Sequence, residues 1–394
     1  MITRNMPSRC IARTTVLTLG LAAFGCSSPN SDASAGPAVN LHLPSGFTAT
    51  IIAKVDGARE LTVASNGDLF VGTHGTRIFV VPQAEDDGGV RAAQSFVSIN
   101  DAPVAGVTIA NGTMYAGSQF AVWRIPYKVG DRKAQGTPAK IASVRTSGAS
   151  SDHVTTSVAY SGGVLYASVG SSCNVCDPEL DATRATIQQI PHGSGKMSPK
   201  AVHIRNAIAL AVNPNTASVW AGVAGQDELQ HGHPYEIFDP VTLHSGVGDY
   251  GWPYCYEDRR PTKPGHSCAA VVIPRVVFPA YETPIGAAIY PSHTTGKHAF
   301  PQKYLGGAFV SLHGSWHQPP VPPRVAFVSL RGDAPAKPVS WTDPNVQWSE
   351  FIGGYQNSDG TRTGRPTGVA IGPQGDLFVA DDDNGNIYRI RATR

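Results

Sequence analysis

The sequence has little charge, almost no helical periodicity and no long apolar run, and each lack narrows what it can be. Only 15% of its 394 residues are Asp, Glu, Lys or Arg, against about 25% in ordinary soluble domains. No basic run follows the N-terminus, so nucleic acid is not an expected partner and no extended charged surface is implied. Apolar residues hardly ever recur at helical spacing, which points away from a helical architecture. The longest apolar stretch near the N-terminus, residues 16–24, is too short to cross a bilayer. Covalent haem is not expected either, because Asp177 stands where the Cys173-Asn174-Val175-Cys176 spacing would need a His.

Turn formers and apolar residues are plentiful: 42 Gly, 31 Pro and 41% hydrophobic residues. Such a chain can bury a large core, as two ordinary domains or as one large all-β domain of repeated units. Arg4, Arg9 and Arg13 precede residues 16–24, the pattern of an export signal over 1–25. Its removal takes the formal net charge from +2 to −1. Ala23-Phe24-Gly25-Cys26 is similar to a bacterial lipobox, which would make Cys26 a lipid anchor and the only link to a membrane. Secretion without lipid is the alternative. Residues 26–40 are mostly Ser, Pro, Ala, Gly and Asn and read as a flexible tether, with the folded part spanning 41–394. Cys173, Cys176, Cys255 and Cys268 then remain in an oxidising compartment. Of their three pairings, Cys173 with Cys176 and Cys255 with Cys268 is preferred, since each closes a short loop.

Internal repetition is the strongest signal. Asn66-Gly67-Asp68-Leu69-Phe70-Val71 recurs as Gln374-Gly375-Asp376-Leu377-Phe378-Val379, each followed by a turn and a second apolar strand. Weaker copies begin at Asn111, Gly163, Ser218 and Gly307, which makes six. Most are preceded by another apolar strand, at 60–64, 104–110, 156–160, 207–212 and 367–371. A period of roughly 45 to 55 residues built of short strands matches one four-stranded blade per repeat. The expectation is an all-β, six-bladed β-propeller. Residues 47–54 would complete the last blade, and residues 230–301 form the longest insertion.

Three stretches hold residues suited to chemistry at a propeller axis. His153, in Ser151-Asp152-His153-Val154-Thr155, enters an inner strand and has the pKa range of a general base. A loop His that only hydrogen-bonds is the competing reading. Arg205-Asn206 enters the next inner strand, where an Arg beside an amide suits an anionic ligand, or else a blade-to-blade ion pair. Gly225-Gln226-Asp227-Glu228 offers the oxygen ligands calcium prefers, although acidic loop residues are often merely solvated.

The order of these stretches resembles the glucose/sorbosone dehydrogenase family that depends on pyrroloquinoline quinone (PQQ), in its sorbosone-dehydrogenase-like branch. It runs through Leu43-Pro44-Ser45-Gly46-Phe47, His153-Val154-Thr155-Thr156, Ser168-Val169-Gly170-Ser171-Ser172, Arg205-Asn206, Tyr250-Gly251-Trp252-Pro253-Tyr254, His313-Gly314-Ser315-Trp316 and Gly364-Arg365-Pro366-Thr367-Gly368. The resemblance implies a propeller that holds the quinone and a calcium ion near its axis. It implies that His153 takes the hydroxyl proton while hydride passes to the quinone, and that Arg205 polarises the cofactor. Asn206, His313 and Arg365 would contact the cofactor, and Gln226 and Asp227 would hold the metal. Two cations of the glucose enzymes are altered: Thr367 stands for an Arg and His313 for a Lys. Either cofactor affinity is weaker than in the glucose enzymes, or residues such as Arg59, His313 or Arg362 substitute. The expected substrate is a small sugar, the electron acceptor a separate molecule and the chain a monomer. A non-catalytic binding propeller and a calcium-dependent lactonase-like hydrolase are the alternatives.

Overall fold

The computed structural model describes residues 41–147, 152–192, 195–317 and 320–393. The expected leader, tether and lipid anchor at Cys26 lie outside the described residues, as does Ser151. The regular structure described is β-strand apart from two short 3-10 turns, with loops between, and among these residues no helix is long and apolar enough to cross a membrane.

Six antiparallel sheets succeed one another, each a meander of four strands, the third with a fifth strand added. Their innermost strands are Ala58–Val63, Gly106–Ala110, Val158–Ser161, Asn206–Val212, Pro284–Ile289 and Pro366–Ile371. Each packs on the next and the last packs on the first, which closes a ring of six blades. The six repeated stretches form the second strands: Leu69–Thr73, Thr113–Gly117, Val164–Val169, Val219–Ala224, Ala308–Leu312 and Leu377–Asp381. Every residue of Leu69–Thr73, Val219–Ala224, Ala308–Leu312 and Leu377–Asp381 is buried. This follows from their position: a central strand covered by a neighbouring blade on each face reads as a continuous apolar run rather than an alternating one.

Phe47–Lys54 pairs antiparallel with Asn386–Ala392, so the N-terminal strand becomes the outer strand of the last blade and ties the ends together. Phe47 anchors that closure, edge-on to Phe300, Tyr304 and Phe351 at 4.7, 5.3 and 5.1 Å between ring centroids. Inner strands approach so closely that a Cβ at Gly368 would stand 2.1 Å from the Arg59 carbonyl oxygen, so only glycine fits there. The acids of the repeated turns are structural. Asp68 pairs with Arg132, and Asp376 receives Arg391 Nε at 2.8 Å and His298 Nδ1 at 3.0 Å.

One expectation is corrected. Residues 230–301 are not one insertion, because Glu236–Asp239 and Val276–Phe278 complete the fourth blade and Pro284–Ile289 begins the fifth. Pro284 opens its strand, where a missing N–H is tolerated. The true excursion lies between Asp239 and Val276; within it Gly248–Asp249 pairs in parallel with Ser198–Val202 of the third blade. The preferred cysteine pairing is present, Cys173 to Cys176 and Cys255 to Cys268.

Candidate active site at the propeller axis

A cavity of about 260 Å³ lies where the inner strands begin. The structure brings His153, Arg205, Asn206, Asp227 and Arg365 together in its wall. These residues span more than two hundred positions of chain and meet because each lies at or near the end of an inner strand or of the second strand beside it.

His153 is held from both sides. Its Nδ1 lies 2.9 Å from the Ser171 carbonyl oxygen and 3.0 Å from Ser171 Oγ, whose own hydrogen is given to the Cys173 carbonyl at 2.8 Å. A carbonyl only accepts, so Nδ1 carries the proton and Nε2 is left as the basic nitrogen. Two buried arginines fix the surrounding backbone: Arg184 Nη1 donates to the Ser171 carbonyl at 2.7 Å, and Arg145 Nη2 donates to the carbonyls of His153 and Thr155, both at 2.7 Å. A Cβ at Gly170 would lie 2.5 Å from both Asn206 Oδ1 and His153 Cβ, so the loop closes on the imidazole only with glycine there. Burial, reinforced by the Arg205 charge, pushes the His153 pKa down to about 4. The ring is therefore neutral at physiological pH.

Arg205 is buried and spends its donors on a small network. Nε and Nη2 reach the Asn174 carbonyl and Oδ1 at 3.2 and 2.9 Å, and Nη2 reaches Asp227 Oδ2 at 3.2 Å. Asn174 sits inside the Cys173–Cys176 loop and accepts a further hydrogen bond from Trp252 Nε1 at 3.1 Å. Beneath Asp227, Glu236 is buried, with Oε2 accepting the Gly225 N–H at 2.6 Å and Oε1 the Tyr281 N–H at 3.1 Å. Desolvation raises its pKa to about 8.

Flat side chains form the opposite wall. Tyr281 stacks on His317 at 3.7 Å and His317 on Trp316 at 4.2 Å between centroids, while Trp316 is 71% exposed at the mouth. His317 Nε2 has no hydrogen-bond partner and lies 3.8 Å from Asp227 Oδ1. Arg365 gives Nε to the His313 carbonyl at 3.2 Å, and Arg362 gives Nη2 to the Ser315 carbonyl. Burial and the neighbouring Arg362 charge lower the Arg365 pKa to about 10, which leaves it charged. Among the described residues no carboxylate lies within 4 Å of either guanidinium.

Two expected contacts sit elsewhere. The His313 side chain gives Nε2–H to Asp382 Oδ1 at 3.0 Å, and its successors Gly314, Ser315 and Trp316 line the cavity instead. Burial holds His313 near pKa 4; at Asp382 burial works upward, but hydrogen bonds from His313 and His74 together with Arg59 outweigh it and keep the carboxyl ionised. Gln226 lines an adjoining cavity. Thr367 is buried and donates Oγ1 to the Ala58 carbonyl at 3.0 Å, a packing role that no cation would fill.

The donor set suits a planar polyanion: the cation Arg365 without a carboxylate hydrogen-bond partner, an amide from Asn206 and stacked flat rings. Among the described residues no three His, Cys, Asp or Glu side chains converge as a metal cage. The buried carboxyl of Glu236 near Asp227 is nonetheless a hard oxygen donor of the kind calcium prefers.

The TrAA12-like family pattern matches residues 41–263 and 247–393. The fold is similar to the calcium structure of a Trichoderma reesei carbohydrate-active enzyme of family AA12, with TM-score 0.75 and 18% identity over 92% of this chain and 100% of that one. It is similar also to the holo form of the pyranose dehydrogenase PQQ domain from Coprinopsis cinerea, with TM-score 0.74 and 17% identity over 90% of this chain and 98% of that one. An uncharacterized protein of Borreliella burgdorferi is 24% identical over 231 residues, 57% of this chain, and the match spans only 56% of that relative's length. Taken with the six closed blades and the axial cavity, the match across nearly all described residues means that the chain belongs to the TrAA12-like family.

Proposed function

We propose that the protein is a quinoprotein oxidoreductase that oxidises an aldose or a sugar-derived aldehyde or alcohol, with PQQ and calcium as cofactors. The observation that carries this reading is His153: a neutral imidazole whose Nδ1 is committed to Ser171, in a cavity walled by Arg365 without a carboxylate partner. Its Nε2 is then a base for a substrate hydroxyl. The PQQ domain and the AA12 calcium structure that share the fold support the choice of cofactors.

In this reading Arg365 and Arg362 hold carboxylates of the quinone, and Asn206 and the stacked rings fix its plane. Arg205 lies beside His153, keeps its imidazole deprotonated between turnovers and favours negative charge developing on the cofactor. Asp227 and Glu236 supply oxygen toward calcium, with Gln226 contributing from the same loop. When bound, the quinone supplies the acceptor for the electron pair leaving the substrate carbon. His153 takes the hydroxyl proton at Nε2 and later releases it to water through the open mouth. We place the chain in the sorbosone-dehydrogenase-like branch on the Tyr250-Gly251-Trp252-Pro253-Tyr254 and Gly364-Arg365-Pro366 stretches. It would act as an exported monomer that passes electrons to a separate carrier. The test is His153→Ala, assayed with cofactor, calcium and a redox dye. Turnover is expected to fall by about two to four orders of magnitude with quinone affinity kept within a few fold, and undiminished turnover removes His153 from its role.

A further inference from the structure

The three-ring stack at the mouth of the axial cavity ends on an open face. Tyr281 lies on His317 at 3.7 Å and 16°, and His317 on Trp316 at 4.2 Å and 19°, so the rings are close to parallel. His317 covers one side of the indole. Among the described residues no other ring and no cation lies over its second side, and the side chain is 71% exposed. The loop beneath holds the ring in place: the Ser315 N–H donates to the Val321 carbonyl at 3.2 Å, the His317 N–H to Ser315 Oγ at 3.0 Å, and Arg362 Nη2 to the Ser315 carbonyl.

The edge of the indole is unspent as well. Trp123, Trp220, Trp252 and Trp348 give Nε1–H to acceptors within the protein at 2.7, 2.9, 3.1 and 3.0 Å, whereas no described residue accepts from Trp316. Of the large exposed apolar side chains among the described residues, Trp316 alone lines this cavity.

These features choose among occupants. A protein partner or a lipid surface is met by several apolar side chains side by side, and here one ring stands alone at a polar mouth. A sugar ring has a C–H face of matching size to lie on the indole and oxygens to accept from Nε1–H. The cavity behind Trp316 holds His153. The unit that reacts therefore lies inward, and any further unit of the substrate leaves through the mouth, past the indole.

We propose that Trp316 is a specificity-determining residue, whose open face carries the second unit of a saccharide while the first unit reaches His153. The proposal rests on the sugar-oxidising reading for its consequence, while the stacking itself needs no turnover. The probes are maltose, cellobiose and lactose, each titrated into the cofactor-free full chain against glucose, the unit they share at the reducing end. The same four sugars are then compared by kcat/KM with PQQ, calcium and a redox dye. At least one disaccharide should exceed glucose by about threefold to tenfold, the range of one aromatic contact. Trp316→Ala should bring that ratio close to one whatever it does to the absolute values, and Trp316→Phe, which keeps a flat ring, should retain most of it. Bound disaccharide should also shield the wild-type tryptophan fluorescence from acrylamide, a signal lost in Trp316→Phe. A ratio near one for the wild type in both measures, or a ratio that survives Trp316→Ala, overturns the proposal. If the ratio and its loss in Trp316→Ala appear in binding but no sugar is oxidised with PQQ and calcium, the platform stands and the quinoprotein reading fails. Turnover with a ratio near one in both measures is the reverse outcome.

Discussion

Asp227 and Asn174 are joined by a reciprocal pair of hydrogen bonds: the Asp227 N–H donates to Asn174 Oδ1 at 2.8 Å, and Asn174 Nδ2 donates to the Asp227 carbonyl at 3.1 Å. The same Asn174 oxygens receive Arg205, so one amide in a disulfide-closed loop sets the position of a cation from the fourth inner strand and an acid from the loop after its neighbour. Asn174→Ala should therefore lower kcat/KM by about tenfold to a hundredfold, the size of effect seen for outer partners of metal and catalytic groups, and weaken calcium binding. Melting temperature should fall by no more than a few degrees, because the loop stays closed by Cys173–Cys176. A variant with wild-type calcium affinity and kinetics would show that Asn174 positions nothing.

The pH dependence follows from His153. A base works only when unprotonated, and burial with the Arg205 charge sets its pKa at about 4. kcat/KM should be flat from pH 8 to pH 5 and fall as pH drops through about 4. A fall centred near the ordinary imidazole value of about 6.5 would mean that the ring is not desolvated as the structure has it.

Glu60 and Glu236 shape stability in the opposite sense. Burial raises each carboxyl to about 8, well above its value in an unfolded chain, so between the two values the folded protein holds protons that the unfolded protein has released. Stability is thus fully present at low pH in this window and is lost as pH rises toward and through 8. Glu60 lines the axial channel, with Ser157 Oγ donating to it at 3.2 Å. Glu60→Gln should raise the melting temperature at pH 8 by a few degrees relative to wild type and give little gain at pH 5. Equal shifts at both pH values would contradict the assignment.

Gly170→Ala tests the geometry around the base. The new methyl group would occupy space 2.5 Å from both the Asn206 amide oxygen and His153 Cβ, so the imidazole must move. Activity is expected to drop at least about tenfold, since small misplacements of a catalytic group are costly, with the six blades intact by circular dichroism. Full activity would mean that the loop around Gly170 yields freely.

Arg365 and His313 separate two kinds of cofactor contact. Arg365 lines the cavity as a cation without a carboxylate partner, whereas the His313 imidazole is bound to Asp382. Arg365→Ala should weaken quinone binding by about tenfold or more. His313→Gln, which can still donate to Asp382, should change quinone affinity by no more than a few fold. The opposite ranking would mean that His313, not Arg365, holds the anion.

The blades were legible because Leu69-Phe70-Val71 and Leu377-Phe378-Val379 are fully buried central strands, and burial on both faces leaves an unbroken apolar signature. The fifth inner strand was not, because Thr283-Pro284-Ile285-Gly286 carries the residues of a turn; what makes it a strand is its place against the fourth and sixth inner strands. His153, Arg205, Asn206, Asp227 and Arg365 could be picked out by chemistry and order. Arg145, Arg184 and Asn174 could not, since their importance lies in which carbonyls they reach across the fold, and Glu236 hides in an ordinary strand as Glu236-Ile237-Phe238. Cys173-Asn174-Val175-Cys176 did mark its loop, but the spacing said nothing of the residue it presents.

The most direct measurement is titration of PQQ into the purified chain, with and without calcium, following quinone absorbance and then aldose-dependent dye reduction. Calcium-dependent, saturable binding followed by sugar-dependent turnover is the expected result. Absence of binding at high cofactor concentration with calcium present would contradict the assignment of the axial cavity to a quinone.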